Sequence, residues 1–136
     1  MTQEHKELLL KDLCSRLPYG VKISVNNNIE SLQGINVLDN VVEYGSFLSS
    51  GIEEVKPYLF PLLSMTKEQL FEVQEIMGKN EIKIEEGFLH IVDSNRNTIA
   101  YLEILALLEW FYKNHFDIYG LISMGLAIDA TVLNIY

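Results

Sequence analysis

Hydrophobic periodicity changes at a Leu-Pro-Tyr-Gly turn, and this change constrains the fold more than any other feature of the sequence. Before the turn, five apolar side chains recur at helical spacing: Leu9, Leu10, Leu13, Cys14 and Leu17. This stripe predicts a helix over residues 3–17 with the Cys14 thiol in the core. After the turn, residues 21–25 alternate polar and apolar side chains, as a half-buried strand does, and the three asparagines at 26–28 predict a turn. The chain therefore combines α and β structure.

A first β-hairpin is predicted to turn at Asp39-Asn40, because both residue types tolerate the positive φ of a two-residue loop. The resulting register places Ile35 opposite Tyr44 on a dry face. A further short strand is expected near residues 52–56. Together with residues 21–25, these strands predict a small antiparallel meander, and its closure into a barrel remains open.

A second helix has clear sequence signals at both ends. Thr66 is a predicted N-cap, and Gln69 completes a capping box. Gly78 stands where a C-terminal glycine is favoured. The connector before this helix contains Pro57 and Pro61, which favour extended or turned backbone.

A second hairpin and a last long helix complete the pattern. The hairpin turns at residues 86–87, and its register places His90 opposite Lys83 on the wetter face. Thr98 is the predicted cap of a helix over residues 99–115. Because this helix is apolar nearly all round, it is expected to be central and buried.

The last segment, HFDIYGLISMGLAIDA, is predicted to be an apolar strap. Asp117 and Asp129 are expected to mark the points where the strap meets water. Four apolar side chains are expected to pack against the long helix: Leu121, Ile122, Leu126 and Ile128. The predicted class is therefore α+β in a single domain over residues 1–136: helix, meander, capped helix, hairpin, buried C-terminal helix and apolar tail.

Composition disfavours several kinds of partner. The net charge is −9, and the ten Lys and Arg residues form no cluster, which disfavours nucleic-acid binding. Apolar runs are too short for a membrane span of about 20 residues. A single cysteine excludes an internal disulfide. We expect a cytoplasmic protein with no membrane and no nucleic-acid partner.

Candidate catalytic and metal-binding residues are few. His115 and Asp117 have the spacing of a base and an orienting carboxylate, which leaves a small hydrolase using them, or His90, as one alternative. A helix-terminal His followed by a capping Asp is the competing interpretation. The three histidines have no metal-ligand spacing, so no metal and no cofactor are expected. A second alternative is a regulator whose barrel-like meander is related to nucleic-acid-binding modules.

Large aromatic side chains concentrate in the connector and the last third of the chain. Five of them form a predicted interaction surface: Trp110, Tyr112, Tyr58, Phe60 and Tyr119. Trp110 is expected to be the most exposed, because it shares a helix sector with Glu103 and Asn114. Core packing is the competing interpretation. The sequence favours a non-enzymatic protein that binds a partner protein or itself.

Three segments together carry a family resemblance: KDLCSRLPYGVKI, KPYLFPLLSMTKEQ and FYKNHFDIYGLISMGLAIDA. In this order they resemble a family of uncharacterised proteins from gut anaerobes, often associated with phages and mobile elements. The resemblance implies an accessory role for such an element and brings no known activity. The chain departs from the family pattern at Phe60, where members often carry arginine, and at Tyr119, where they tend to be basic.

Overall fold

The computed structural model describes residues 1–78, 81–86, 88–92 and 101–136. The helices are α1 (Gln3–Arg16), α2 (Lys67–Met77) and α3 (Tyr101–Lys113), with 3₁₀ turns at Leu17–Tyr19, Ile52–Glu54 and Leu62–Ser64. The strands are β1 (Lys22–Val25), β2 (Asn28–Asn36), β3 (Val41–Tyr44), β4 (Leu48–Gly51), β5 (Val55–Leu59), β6 (Glu81–Glu85), β7 (Phe88–Val92) and β8 (Ile128–Asp129). The chain is therefore α+β, as predicted.

Within the described ranges, one six-stranded sheet has the order β4-β3-β2-β1-β5-β8, and β6 pairs with β7 in a separate hairpin. Neighbouring strands of the larger sheet are antiparallel except β5 and β8, which run parallel. The meander is confirmed. The barrel-like alternative is wrong, because β4 and β8 lie at opposite edges of the sheet and it stays open.

Local backbone chemistry sets two of the hairpin turns. Asn26 and Asn27 connect β1 to β2 with φ of 50° and 64°, the positive values that both central residues of a type I′ turn require. The β6–β7 hairpin has the predicted register, with Lys83 opposite His90. Short polar sequences with residues that tolerate positive φ were therefore sufficient to locate these turns.

The β2–β3 hairpin departs from its predicted register, because its loop contains residues 37–40 instead of two residues. The Asn36 carboxamide accepts the Asp39 backbone N–H at 3.2 Å and donates to the Asp39 carboxylate at 2.7 Å. These bonds stabilise a wider turn of the kind that Asn and Asp side chains favour. The pairs beyond the loop are shifted, so Ile35 does not face Tyr44.

The strand expected near residues 52–56 begins only at Val55, because the residues before it form a 3₁₀ turn. Pro57 lies within this strand, opposite Ile23 of β1. On its other side β5 pairs with β8 only at Tyr58 and Leu59. A residue without a backbone N–H is tolerated here because Pro57 has one neighbouring strand.

Helix α1 is rotated relative to the predicted stripe. Leu9 and Leu13 are fully buried as expected, but Asp12 and Arg16 share their face with no exposed surface. Cys14 is exposed, so its prediction as a core thiol is wrong. Asp12 and Arg16 can occupy buried positions because the Arg16 guanidinium pairs with the Asp12 carboxylate and also donates to the Phe116 carbonyl, which offsets much of the cost of burying the two charges.

Among the described residues, two apolar clusters form the interior. The first joins α1 and the sheet to Leu121 and Leu126 of the tail. The second joins α2 and α3, and contains Phe116. The tail is therefore a strap, but Leu121, Ile122 and Leu126 pack with α1 and the sheet, so their expected packing on α3 is wrong.

Helix α3 is buried on one face only. Leu107 and Phe111 are inside, whereas Leu105 and Glu109 are exposed, so the predicted all-round burial is wrong. At α2, the Thr66 capping box and the terminal Gly78 are confirmed. The predicted cap Thr98 lies outside the described residues. In the part of the chain that the structure describes, no helix has the length and apolarity of a membrane span.

Candidate functional site

A buried ion pair lies where α1 meets the residues after α3. The Arg16 guanidinium donates to both Asp12 carboxylate oxygens, at 2.7 Å and 2.9 Å, and to the Phe116 carbonyl at 2.7 Å. It also lies over the Tyr112 ring, 5.2 Å from the centroid. Burial raises the pKa of Asp12, and the Arg16 contacts oppose this shift. The contacts tie three parts of the chain together.

Asp117 is a capping residue, as one interpretation of the sequence predicted. Its two carboxylate oxygens accept the backbone N–H groups of Leu121 and Ile122, each at 2.9 Å. The side chain is buried, so the expectation that Asp117 meets water is wrong, whereas Asp129 is exposed. Both oxygens of the Asp117 carboxylate are committed to holding the start of the strap.

His115 lies at the end of the α3 region with a φ of 63°, in the left-handed region. Its ring stacks on Tyr136, and burial, assisted by the charge of Arg16, lowers the pKa of His115 to about 4. No hydrogen bond joins His115 to Asp117 among the described residues. The geometry of the base and orienting carboxylate pair is therefore not formed.

The other candidate histidine, His90, is exposed on β7 opposite Lys83. Among the described residues, no three His, Cys, Asp or Glu side chains lie together as a metal site would require. His115 and His90 lie on separate elements, and no described contact brings them together.

The five aromatic residues predicted as an interaction surface lie mostly inside. Tyr58 is buried, and the hydroxyls of Tyr112 and Tyr119 lie 3.5 Å apart in a half-buried position. Trp110 is also half-buried: its ring stacks on Phe116 at 5.6 Å, and its N–H donates to Glu72 at 2.9 Å.

Phe60 is half-buried and contacts the rings of Phe116 and Tyr136. Trp110, expected to be the most exposed of the five, is half-buried like Phe60, whereas Phe47 and Phe71, outside this group, are exposed. Most aromatic packing in this part of the chain therefore stabilises the fold. The most exposed aromatic side chains of the described residues, Phe47 and Phe71, lie elsewhere.

The open edge of the sheet at β4 presents the most exposed aromatic side chain among the described residues. Phe47, in the turn before β4, has a relative exposure of 106%, and its φ is 66°. Leu48, which begins β4, is also exposed. A groove of about 400 Å³ adjoins them, lined by Gln33, Glu43, Tyr44, Phe47, Leu48 and Ser49.

The far end of β4 opens onto an acidic groove of about 300 Å³. Asp39, Glu53 and Glu54 line it, together with Lys6. The Lys6 ammonium pairs with Glu53 and lowers the pKa of that carboxyl. The edge strand thus lies between a groove of mixed lining, with the exposed Phe47 and Leu48 on its wall, and an acidic groove.

This edge was not predicted from the sequence, because no strand was expected at residues 48–51. A signal was present in the uncharged run Leu-Ser-Ser-Gly, which lacks the Lys and Pro residues that commonly protect edge strands. The burial of Asp12 and Arg16 also had a signal in the sequence, because both residues fall on the same helix side as Leu9 and Leu13.

Comparison with family models, curated proteins and solved structures finds no match to this chain.

Proposed function

We propose that the chain is a non-enzymatic interaction protein that binds a partner protein at the β4 edge. The observation that carries the proposal is a strand edge that no described strand covers, with the exposed Phe47 beside it. An uncovered edge offers backbone donors and acceptors to an incoming strand. An adjacent large aromatic side chain is a typical anchor residue of a protein interface.

The backbone of Phe47 adds to this support. A residue other than glycine in the left-handed region costs about 1–2 kcal/mol relative to its preferred conformations. Phe47 has this conformation while its side chain is exposed, so packing within the chain does not compensate the cost. Strained backbone at an exposed position is typical of functional sites.

The proposed occupant is a different protein and not a second copy. Two copies paired along β4 would bring two chains of net charge −9 together, with Glu53 and Glu54 next to the shared edge. Like charges at short range oppose such pairing. A partner with basic character has no such penalty.

The family resemblance supports a biological setting for the proposal. It suggests an accessory protein of a phage or mobile element, acting in the cytoplasm on another protein. Coding sequences adjacent to this one that belong to such an element would support the setting. Adjacent coding sequences that all encode host metabolic proteins would contradict this setting, without affecting the proposed binding edge.

The test is an affinity capture from native lysate with three matched variants. Phe47→Ser removes the exposed aromatic ring, and Ser49→Pro removes a donor from the strand edge. Val132→Ser, at an exposed apolar position in the tail, is the control. A captured protein is identified by mass spectrometry, purified, and its affinity remeasured with each variant.

We expect the affinity to fall with Phe47→Ser and Ser49→Pro and to stay unchanged with Val132→Ser. Equal binding by all variants would overturn the proposed edge. Light scattering that reports a dimer of this chain, dissociated by Ser49→Pro, would replace the partner protein by a second copy.

A further inference from the structure

We infer that the partner contributes an extended segment that adds to the sheet as a strand antiparallel to β4, with a Lys or Arg followed about four residues later by a large apolar side chain. The inference rests on the proposed function and names the chemistry of the partner. Three features of the edge support it: the direction of its backbone groups, the exposed apolar side chains of Phe47 and Leu48 at one end and the acidic groove at the other.

The backbone direction follows from one hydrogen bond beyond the end of β4. The Ile52 N–H donates to the Asn40 carbonyl at 2.9 Å, which marks these residues as a hydrogen-bonded pair. Hydrogen-bonded and non-bonded pairs alternate along antiparallel strands. The N–H and C=O groups of Ser49 and Gly51 therefore point away from β3, toward the open edge.

Two outward residues separated by one inward residue are the repeat that an added strand uses. Among the described strands, none pairs with β4 on this side. Antiparallel addition is the more favourable direction, since antiparallel pairing is slightly more stable per residue than parallel pairing. It also continues the pattern of β2, β3 and β4.

The groove at the amino end of β4 has Phe47 and Leu48 on its wall, beside the polar residues Gln33 and Ser49. An added antiparallel strand has its carboxyl end here. A large apolar side chain at that end would cover both exposed residues, and burial of apolar area is the main favourable term in association. Glu43 lies in the same groove and disfavours an acidic side chain there.

The acidic groove lies at the carboxyl end of β4, where the added strand has its amino end. Asp39, Glu53 and Glu54 line it, and Lys6 supplies the only ammonium among its lining residues. A Lys or Arg of the partner is therefore favoured there. The four residues of β4 separate the grooves by roughly 13 Å at about 3.3 Å per residue, which sets the spacing of the two recognised side chains.

The test uses a synthetic peptide, acetyl-Lys-Thr-Val-Thr-Phe-amide, titrated into the ¹⁵N-labelled chain and followed by NMR. Two control peptides have Glu in place of Lys, or the same residues in reverse order. We expect the first peptide to bind most tightly and to shift the amide signals of Ser49 and Gly51. Phe47→Gly should weaken binding about tenfold or more, as loss of an anchor residue does.

The charge contribution is tested with Glu53→Gln/Glu54→Gln, and Glu68→Gln/Glu75→Gln on α2 is the matched control with the same change in net charge. We expect the first pair to weaken binding by roughly threefold to tenfold and to reduce its salt dependence. The control pair should have little effect, because its carboxylates are far along the chain from β4 and exposed on a helix.

Equal affinity for the Lys and Glu peptides, or shifts confined to residues outside 47–54, would overturn the inference. A captured natural partner whose binding needs Phe47, together with no binding of the peptide, would overturn the strand chemistry while leaving the proposed function intact. Capture of no protein whose binding needs Phe47 would overturn both the strand chemistry and the proposed function.

Discussion

The imidazole of His115 stacks on the ring of Tyr136, with centroids 3.8 Å apart and planes 13° apart. The Tyr136 hydroxyl accepts the Lys22 backbone N–H at 2.9 Å and donates to the Tyr58 carbonyl at 2.7 Å. It therefore bridges β1 and β5 just beyond their last paired residues. Through this stack His115, two residues beyond α3, is connected to the centre of the sheet.

His115 should make stability depend on pH. Its pKa is lowered from 6.5 to about 4 in the folded chain, so between these values the unfolded chain binds a proton that the folded chain does not. The stabilisation is fully present above pH 6.5 and is lost as pH falls toward 4. Chemical denaturation of wild type and His115→Asn, whose side chain tolerates positive φ, should show a steeper acid-side loss in wild type. Parallel pH profiles would contradict this.

Removing one partner of the Asp12–Arg16 pair should destabilise the fold strongly, whereas replacing both residues by apolar ones should destabilise it less. Asp12→Ala leaves a buried guanidinium without its partner, and such a change costs about 3–5 kcal/mol of unfolding free energy. Replacing both residues, as Asp12→Leu/Arg16→Met, should recover much of the loss, because neither position then holds an unpaired buried charge. Urea denaturation of the single and double variants measures both quantities. A double variant less stable than Asp12→Ala would show that the pair is needed as a pair.

Two aspartates in the last segment should differ in their contribution to stability. Asp117→Ala leaves the N–H groups of Leu121 and Ile122 without their acceptor in a buried position, which costs about 1–3 kcal/mol. Asp129 bonds Thr131 at an exposed position, so Asp129→Ala should cost less than about 1 kcal/mol. Thermal denaturation compares them directly. A larger loss from Asp129→Ala would contradict the capping role of Asp117.

Phe47→Gly should stabilise the chain while weakening partner binding. Relief of the left-handed conformation gains about 1–2 kcal/mol, and the entropy of glycine offsets about 0.5–1 kcal/mol of it, so a net gain of roughly 0.5–1 kcal/mol is expected. Calorimetry should therefore show a higher Tm than in wild type. A lower Tm would indicate that Phe47 serves the fold and not recognition.

Local signals in the sequence predicted much of the fold. The Thr66 capping box, the Asn26-Asn27 turn and the β6–β7 register depend on residues within a few positions of one another. The α+β class followed from the change in periodicity. These features need no information about distant contacts, so sequence alone was sufficient for them.

Features set by contacts distant in sequence were not predicted. Arg16 is buried because its guanidinium reaches the Phe116 carbonyl, 100 residues away, and this contact turns Cys14 outward. The position of β4 at an open edge depends on the order of the whole sheet. Exposure of Phe47 follows from that order, so the candidate binding edge became visible only in three dimensions.

Hydrogen–deuterium exchange of residues 48–51, with and without the purified natural partner, tests the binding edge most directly. The outward amides of Ser49 and Gly51 should exchange rapidly in the free chain and become protected in the complex, because an added strand accepts their hydrogen bonds. Unchanged exchange at Ser49 and Gly51, with new protection only on α2 or α3, would contradict binding at this edge.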